Sequence, residues 1–183
     1  ENIPDKPVLY VGNHRSYFDI VSGYIVVPGQ TGFVAKKEME KIPLLRDWMR
    51  NVNCLFLDRK DIKAGLKTIL EGIEKVKGGS SMWIFPEGTR SRSSEMGEFK
   101  HGSFKLATKA KVPIVPVTLN GGYHTFEDHG AVTKGQHIDV LVHPPIETKD
   151  MSRQELAELP AQVEAIIRTG LAELVQQSGE EEQ

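Results

Sequence analysis

The sequence predicts a single α/β domain, in which helices flank a central sheet that is largely parallel or mixed. Short apolar runs typical of buried strands alternate with segments in which apolar residues repeat at helical spacing. The 183 residues contain no linker and no internal repeat, and they suffice for one substantial core. We therefore expect one domain over residues 1–178 and an acidic, disordered tail over residues 179–183.

The first half of the chain shows the alternation most clearly. Its predicted strands are the apolar runs at residues 8–11, 31–35, 55–57 and 81–85. Helical periodicity fills the intervals between them. The clearest helix extends from Ile62 to Val76, with an apolar residue every three or four positions, and Gly78 ends it.

The second half of the chain is less regular. We expect a helix at residues 104–110, strands at 114–119 and 138–142, and mostly loop over 121–135. Pro116 lies inside one of these strands, which predicts an edge position or a bulge, because proline cannot donate to the ladder. A final helix is expected to begin near Pro160, which suits a first helical turn.

The composition argues against several function classes. The net charge of −2 is not that of a protein attracted to nucleic acid as a whole. Cys54 is the one cysteine, so there is neither a disulfide framework nor a thiolate zinc cluster. No run approaches the roughly eighteen apolar residues of a membrane-spanning helix.

Residues 13–19, with the sequence Asn-His-Arg-Ser-Tyr-Phe-Asp, lie where the first predicted strand gives way to a helix. Open α/β sheets bind ligands at such strand ends. Ser16 and Asp19 have the spacing of a capping box, which predicts Ser16 as the helix N-cap. From the first turn, the Asp19 carboxylate can reach His14 and fix its tautomer, as a general base requires. By itself, however, such a His is more often a polar loop residue, and such an Asp only a cap.

Charged residues also follow three other predicted strands. They are Lys36 and Lys37, Asp58 and Arg59, and the turn Glu87-Gly88-Thr89-Arg90. Because the ends of parallel strands share one sheet edge, these side chains can converge on one cleft. Arg and Lys both suit a phosphate, and the Gly88-Thr89 backbone can add amide donors. Taken singly, each residue is equally compatible with a solvated loop charge.

The chain resembles the glycerophospholipid acyltransferases with an HX4D motif, the family of bacterial lysophosphatidate acyltransferase. The resemblance covers residues 8–120 and rests on motifs in the family's order, at residues 13–19, 56–59, 85–91 and 112–117. A Phe-Lys-x-Gly segment at residues 99–102 is also similar. The second motif departs from the family in having Asn53 where a Gly is usual, a mild change because Asn tolerates a positive φ.

The resemblance implies acyl transfer to the sn-2 hydroxyl of 1-acylglycerol 3-phosphate, with acyl-CoA or acyl-carrier protein as co-substrate and no cofactor or metal. His14 would be the general base and Asp19 would orient it. The acceptor would contact Arg59 and the turn formed by Glu87, Gly88, Thr89 and Arg90, with Arg90 on the phosphate. Lys36 is a further candidate.

The resemblance also implies partners and a location. A lipid acceptor predicts peripheral attachment to the cytoplasmic face of the cell membrane, where acyl-CoA is found. Because the sequence begins at Glu1 rather than Met, an N-terminal membrane element outside it is compatible with these residues. Nucleic acid is not an expected partner. Trp48 and Met49 are expected in the core rather than against a membrane.

Several alternatives remain open. Glycerol 3-phosphate or another lysophospholipid could be the acceptor, and the fold could instead serve a thioesterase or a lipid-binding module. The sequence lacks a Gly-x-Ser-x-Gly elbow, which disfavours the hydrolase. His124 and His129 are better interpreted as surface residues than as metal ligands, because their spacing matches no helical pair.

Overall fold

A computed structural model describes residues 2–91, 95–128, 130–133 and 136–179. Within these residues, the strands are β1 (Leu9–Gly12), β2 (Thr31–Lys36), β3 (Leu55–Leu57), β4 (Ser81–Ile84), β5 (Ile114–Asn120) and β6 (Asp139–Val142). They form one sheet in the order β3-β2-β4-β1-β5-β6. All neighbouring pairs are parallel except β5 and β6. The predicted α/β class with a largely parallel sheet is confirmed.

Six α-helices lie between or after these strands in the described part of the chain. They are α1 (Phe18–Val26), α2 (Leu45–Asn51), α3 (Ile62–Lys77), α4 (Lys105–Ala110), α5 (Gly122–Phe126) and α6 (Arg153–Ser178). Short 3-10 turns at Lys37–Lys41 and His101–Phe104 precede α2 and α4. None of the described helices is long and apolar enough to cross a membrane.

The sheet carries a core on each face, because successive strand residues point to opposite sides. On one face, Tyr10, Phe33 and Trp83 pack under α1 and α2. On the other face, residues such as Leu9 and Met82 pack under α3, α4 and α6. The helix α5 packs against α1. The molecule therefore has three layers, and α1 and α3 belong to opposite outer layers.

Pro116 is not at an edge, so the edge alternative of that prediction was wrong. The strand β5 lies between β1 and β6, and Pro116 is paired in register with Val11 of β1. Its carbonyl oxygen accepts a hydrogen bond of 3.0 Å from the backbone N–H of His143, the residue after β6 ends. The missing proline N–H therefore falls where the regular antiparallel ladder is interrupted. Pairing resumes at Ile114 and Ile146 with one extra residue on the segment opposite β5, so the bulge alternative of the prediction agrees with the structure.

The final helix begins earlier than predicted. It starts at Arg153, and Pro160 lies inside it rather than in its first turn. The start is fixed by a capping box, in which Ser152 Oγ accepts from the N–H of Glu155 and the Glu155 carboxylate accepts from the N–H of Ser152. The helix ends at Gly179 in the left-handed conformation. Residues 180–183 of the predicted tail lie outside the described residues.

Two further local predictions can be compared with the structure. The segment expected to be mostly loop contains the short helix α5. Asn53 has a φ of +60°, as expected for a residue that stands in place of Gly.

Candidate active site

The chain leaves β1 through Asn13, a buried residue that anchors the next loop. Its side-chain amide donates to the carbonyl of Leu119 at 2.8 Å, and its side-chain oxygen accepts from the N–H of Leu119 at 2.9 Å. Since Leu119 lies on β5, these two bonds tie the exit of β1 to its neighbouring strand. The residue that follows, His14, is therefore presented at the carboxyl edge of the sheet, between β4 and β5.

Asp19 contacts the imidazole of His14 in the geometry of a general-base pair. Its Oδ2 lies 3.0 Å from His14 Nδ1 and also accepts backbone N–H groups from Arg15 and Ser16, each at 2.7 Å. An oxygen that already accepts two N–H groups is an acceptor for Nδ1 as well, so we assign the proton to Nδ1. The lone pair is then on Nε2, which no described residue contacts by a hydrogen bond.

The prediction of Ser16 as the helix N-cap was wrong, because the N-cap of α1 is Tyr17. The Asp19 carboxylate does accept from the N–H of Ser16, as in a capping box. However, Ser16 Oγ accepts from Phe18 at 3.0 Å rather than from Asp19, and α1 begins one residue later than predicted. With this later start of α1, the Asp19 carboxylate accepts hydrogen bonds from the loop that carries His14.

The helix α5 closes the far side of Asp19. A β-carbon on Gly122, its first residue, would lie 2.8 Å from Asp19 Oδ1. Only glycine lets the α5 backbone approach the carboxylate this closely. The approach helps to keep Asp19 buried, with its side chain 3% exposed.

The turn after β4 contacts both the ring and the backbone of His14. The imidazole stacks on the Phe85 ring, with centroids 4.1 Å apart and planes inclined by 12°. The backbone N–H of His14 donates to Glu87 Oε1 at 2.7 Å, and its carbonyl accepts from the N–H of Ser91 at 2.8 Å. His14 is thus fixed by its ring and by both of its backbone polar groups.

Glu87 is buried and faces the protein interior. Its second carboxylate oxygen accepts from the N–H of Gly97 at 2.9 Å. Burial raises the pKa of Glu87 to about 7, although the hydrogen bonds from Gly97 and His14 favour the carboxylate. Its contacts therefore brace the loop of His14, and its predicted contact with an acceptor stays a prediction.

Two cations converge on Gly88. This residue has a φ of +79°, and a β-carbon on it would lie 2.7 Å from Arg59 Nη1 and 2.9 Å from Lys100 Nζ. In the described part of the chain, neither cation has a hydrogen-bonded or ion-paired carboxylate. Partial burial lowers the pKa of the Arg59 guanidinium, and the charge of Glu38 offsets this only in part. Two adjacent positive charges without a directly paired carboxylate are typical of an anion-binding site.

Arg90 has a different environment from Arg59. Its Nη1 donates to Glu127 Oε1 at 2.8 Å, and its guanidinium carbon lies 3.6 Å from the centroid of the Tyr17 ring. Both contacts are attractive, and the first neutralises the arginine. Arg90 thus links the turn after β4 to the start of α1.

Glu127 is a site residue that the sequence did not reveal. Besides Arg90, it accepts hydrogen bonds from Ser16 Oγ at 2.7 Å and from the N–H of Tyr17 at 2.8 Å. Burial opposes its ionisation, but these hydrogen bonds outweigh burial and lower the pKa of Glu127. Glu127 lies 111 residues from Ser16, within a segment predicted to be mostly loop, so no local pattern pointed to it.

The remaining predicted residues lie on the same edge of the sheet with fewer contacts. Lys36 is the last residue of β2 and is exposed, and Thr89 is exposed in the turn between Gly88 and Arg90. Lys37 forms an ion pair of 2.9 Å with Asp58, which precedes Arg59. Lys100, by contrast, belongs to the Phe-Lys-x-Gly segment, but nothing in the sequence indicated that it reaches Gly88.

The histidines of the 121–135 segment form no metal site in the described residues. His124 Nδ1 lies 3.0 Å from Asp128 Oδ2, an exposed pair one helical turn apart. Within residues 2–91, 95–128, 130–133 and 136–179, no group of three or more His, Cys, Asp or Glu side chains is placed to hold a metal ion. His129 lies outside the described residues.

The fold and this site define an α/β protein in which a histidine–aspartate pair and two cations lie at the carboxyl edge of the sheet. Residues 1–120 match the family model described as Acyltransferase. The chain belongs to the acyltransferase family. The predicted membership in the family of bacterial lysophosphatidate acyltransferase is therefore confirmed.

Individual relatives support this assignment. The chain is 37% identical to a 1-acyl-sn-glycerol-3-phosphate acyltransferase of Saccharomyces cerevisiae over 168 residues, which cover 89% of this chain and 55% of that protein. It is 30% identical to the protein of the same name from Pseudomonas aeruginosa, over 95% of this chain and 67% of that one. Relative to several curated proteins of this name, the chain spans about half their length.

A solved structure agrees with the sequence relatives. The crystal structure of the 1-acyl-sn-glycerophosphate acyltransferase PlsC from Thermotoga maritima has a TM-score of 0.77 and 34% identity to this chain. The match covers 94% of this chain and 68% of that one. The three-layer fold described above is therefore the fold of this family.

Proposed function

We propose that the chain is a 1-acylglycerol-3-phosphate O-acyltransferase. It transfers a fatty acyl group from acyl-CoA or acyl-carrier protein to the sn-2 hydroxyl of 1-acylglycerol 3-phosphate, giving phosphatidic acid. The observation that carries the proposal is the 3.0 Å contact between His14 Nδ1 and Asp19 Oδ2, which leaves Nε2 as a base. The names of the relatives and the cations at Gly88 support the same acceptor.

In the proposed reaction, His14 Nε2 takes the proton of the acceptor hydroxyl. The acceptor oxygen attacks the thioester carbonyl, a C–O bond forms, and the C–S bond breaks. The departing thiolate receives the proton from the imidazolium, so His14 returns to its starting state. Asp19 stabilises the imidazolium during the transfer, and no acyl-enzyme intermediate is required.

The acceptor phosphate binds, in this proposal, between Arg59 and Lys100 above Gly88. Neither cation is hydrogen-bonded or ion-paired to a carboxylate in the described chain, so a phosphate would meet two available cations. Gly88 has no side chain to obstruct it, and the adjoining Thr89 is exposed. Arg90, which the resemblance assigns to the phosphate, remains a proposed contact at the rim, as does Lys36. Glu87 serves the acceptor indirectly, through the loop of His14.

The proposal extends to the surroundings of the enzyme. The acyl carrier acts as a co-substrate, and no cofactor or metal enters the reaction. Because the acceptor is a lipid, the enzyme would attach peripherally to a membrane surface, on the cytoplasmic face where acyl-CoA is found. Nucleic acid has no part in it.

Acyl transfer by the purified chain tests the proposal. We expect turnover with lysophosphatidate that exceeds turnover with glycerol 3-phosphate or other lysophospholipids, with acyl-CoA and acyl-carrier protein assayed separately. His14→Ala should reduce turnover by at least about a hundredfold, the lower range for loss of a general base. His124→Ala, which removes a histidine paired to an aspartate elsewhere, is the matched control and should retain activity.

Two outcomes would contradict the proposed function. Substantial turnover in a folded His14→Ala variant would exclude His14 as the base. Acyl release without acceptor, at a rate near that of transfer, would identify a thioesterase instead.

A further inference from the structure

The outer surfaces of α1 and α2 expose large apolar side chains. Val21 and Ile25 on α1 are 51% and 80% exposed, and Leu44 and Trp48 at α2 are 84% and 50% exposed. We call these four residues the α1–α2 surface. Tyr24 joins the two helices, because its ring meets that of Trp48 edge-on at 5.8 Å. The prediction that Trp48 and Met49 both belong to the core is wrong for Trp48, since only Met49 is buried.

The composition of α1 makes this exposure unusual. A surface helix normally places charged residues on its solvent side. The one charged residue of α1 is Asp19, which is buried against His14. The outward side of α1 is thus apolar, and no charged residue separates its exposed apolar side chains. This is expected where an apolar partner covers the helix.

The charges beside this surface indicate what the partner is. Residues 36–51, which lead into α2 and include it, carry five Lys or Arg side chains and three Asp or Glu, a net charge of +2. Three of these cations are ion-paired, whereas Lys36 and Lys41 are exposed and have no ion pair among the described residues. The whole chain carries −2. Exposed apolar residues, aromatic rings and a local excess of positive charge together suit the interface of a bilayer with anionic headgroups.

The surface also adjoins the site. The helix α1 begins at Phe18, four residues after His14, and the half-exposed ring of Tyr17 lies under Arg90. A membrane in contact with the start of α1 would therefore lie beside His14 and Arg90. We infer that the α1–α2 surface rests on an anionic phospholipid bilayer and lets the acceptor reach His14 without entering water. This inference rests on the proposed function.

The chain supplies its own control surface. Ile62 and Leu66 on α3 are 89% and 58% exposed, but α3 lies in the opposite outer layer. Lys63 and Lys67 alternate with them, so this stripe has the charged neighbours that α1 lacks. A double substitution there removes similar apolar area from the surface that we expect to face water.

Vesicle sedimentation tests the inference. The purified chain is mixed with vesicles of phosphatidylcholine and phosphatidylglycerol, and the bound fraction is measured against lipid concentration. We expect Ile25→Ser combined with Trp48→Ser to weaken binding at least tenfold, and Ile62→Ser combined with Leu66→Ser to leave it unchanged. Both variants replace exposed side chains, and their melting temperatures check that they fold.

Two acceptors separate membrane contact from chemistry. The α1–α2 variant should lose activity on long-chain lysophosphatidate in vesicles, yet match the wild type on a short-chain lysophosphatidate dissolved in water. Unchanged vesicle binding in this variant would overturn the inference, as would an equal loss in the α3 variant. A wild-type dimer in sedimentation that the variant dissociates, without vesicle binding, would assign the surface to a second copy instead. Failure of the proposed function looks different, because vesicle binding would persist while no acceptor is acylated.

Discussion

Arg59 and Arg90 end corresponding turns after β3 and β4, which are consecutive in the chain, yet the fold places their charges in different surroundings. Arg59 and Lys100 both lie beside Gly88, and Arg59 has no ion-paired carboxylate in the described chain. Arg90 is paired with Glu127 and stacked on Tyr17. The first arrangement is available to an anion, whereas the second is already satisfied within the protein.

The motifs alone assign both arginines to the acceptor, whereas their surroundings indicate different roles. Crowding Arg59 and Lys100 together is unfavourable without an anion, so an anion bound between them would relieve the repulsion. Arg90 instead connects the turn after β4 with the first residues of α1, through a carboxylate that also binds Ser16. We therefore expect substitutions at Arg59 to affect acceptor binding and those at Arg90 to affect the placement of His14 as well.

The largest expected effect concerns Glu87, the carboxylate next to Gly88 in sequence. Its pKa of about 7 is raised above the ordinary value of about 4.5, so the folded state holds the proton more tightly than the unfolded state does. The stability gained from this proton is fully present below pH 4.5 and is lost as the pH rises through 7, a change of roughly 3 kcal/mol. Denaturation of Glu87→Gln across this range should lack that change.

This titration also tests whether the cations at Gly88 are uncompensated. If Glu87 were paired with Arg59 or Lys100, its pKa would be lowered and the stability would fall with decreasing pH instead. Glu98→Gln, at an exposed carboxylate, is the control and should follow the wild type.

Arg59→Met should raise the KM for lysophosphatidate about tenfold or more, because a charge-assisted hydrogen bond contributes about 1.5–3 kcal/mol. The kcat should change much less, since His14 and Asp19 are untouched. Steady-state kinetics with varied acceptor provide the measurement. Lys60→Met removes the adjacent exposed cation and should behave as the wild type; an equal rise in KM there would indicate only long-range attraction.

Glu127→Gln should reduce kcat several-fold, with a smaller effect on the KM for the acceptor than Arg59→Met has. The amide can still accept one hydrogen bond from Ser16 or Tyr17, but it no longer neutralises Arg90. Asp128→Asn alters the neighbouring carboxylate, which contacts His124 instead, and should leave kcat intact. A Glu127→Gln enzyme with normal kcat would show that the link to Arg90 does not position the base.

Tyr17→Leu should have the smallest effect, a decrease in kcat of about twofold to fivefold, in line with about 0.5–1 kcal/mol for an exposed cation–π contact. Tyr17→Phe keeps the ring beneath Arg90 and should restore the wild-type rate. If both variants were equally impaired, the hydroxyl rather than the ring would be responsible.

Local patterns predicted the parts of this molecule that depend on local physics. Alternating strands and helices identified the fold, and the spacing of His14 and Asp19 identified their contact. The edge position predicted for Pro116 was wrong because its tolerance depends on where the pairing with β6 is interrupted, which no feature near Pro116 reveals. Glu127 and Lys100 were missed as site residues for a related reason, since each reaches the site only through packing between distant segments.

The most direct measurement compares two acceptors that differ only in the phosphate, lysophosphatidate and the monoacylglycerol with the same chain. The ratio of their kcat/KM values isolates phosphate recognition from acyl transfer. The site described here predicts that Lys100→Met lowers this ratio about tenfold, and that Arg90→Met lowers it less. A ratio that is unchanged in Lys100→Met but collapses in Arg90→Met would contradict the assignment of the phosphate to Arg59 and Lys100.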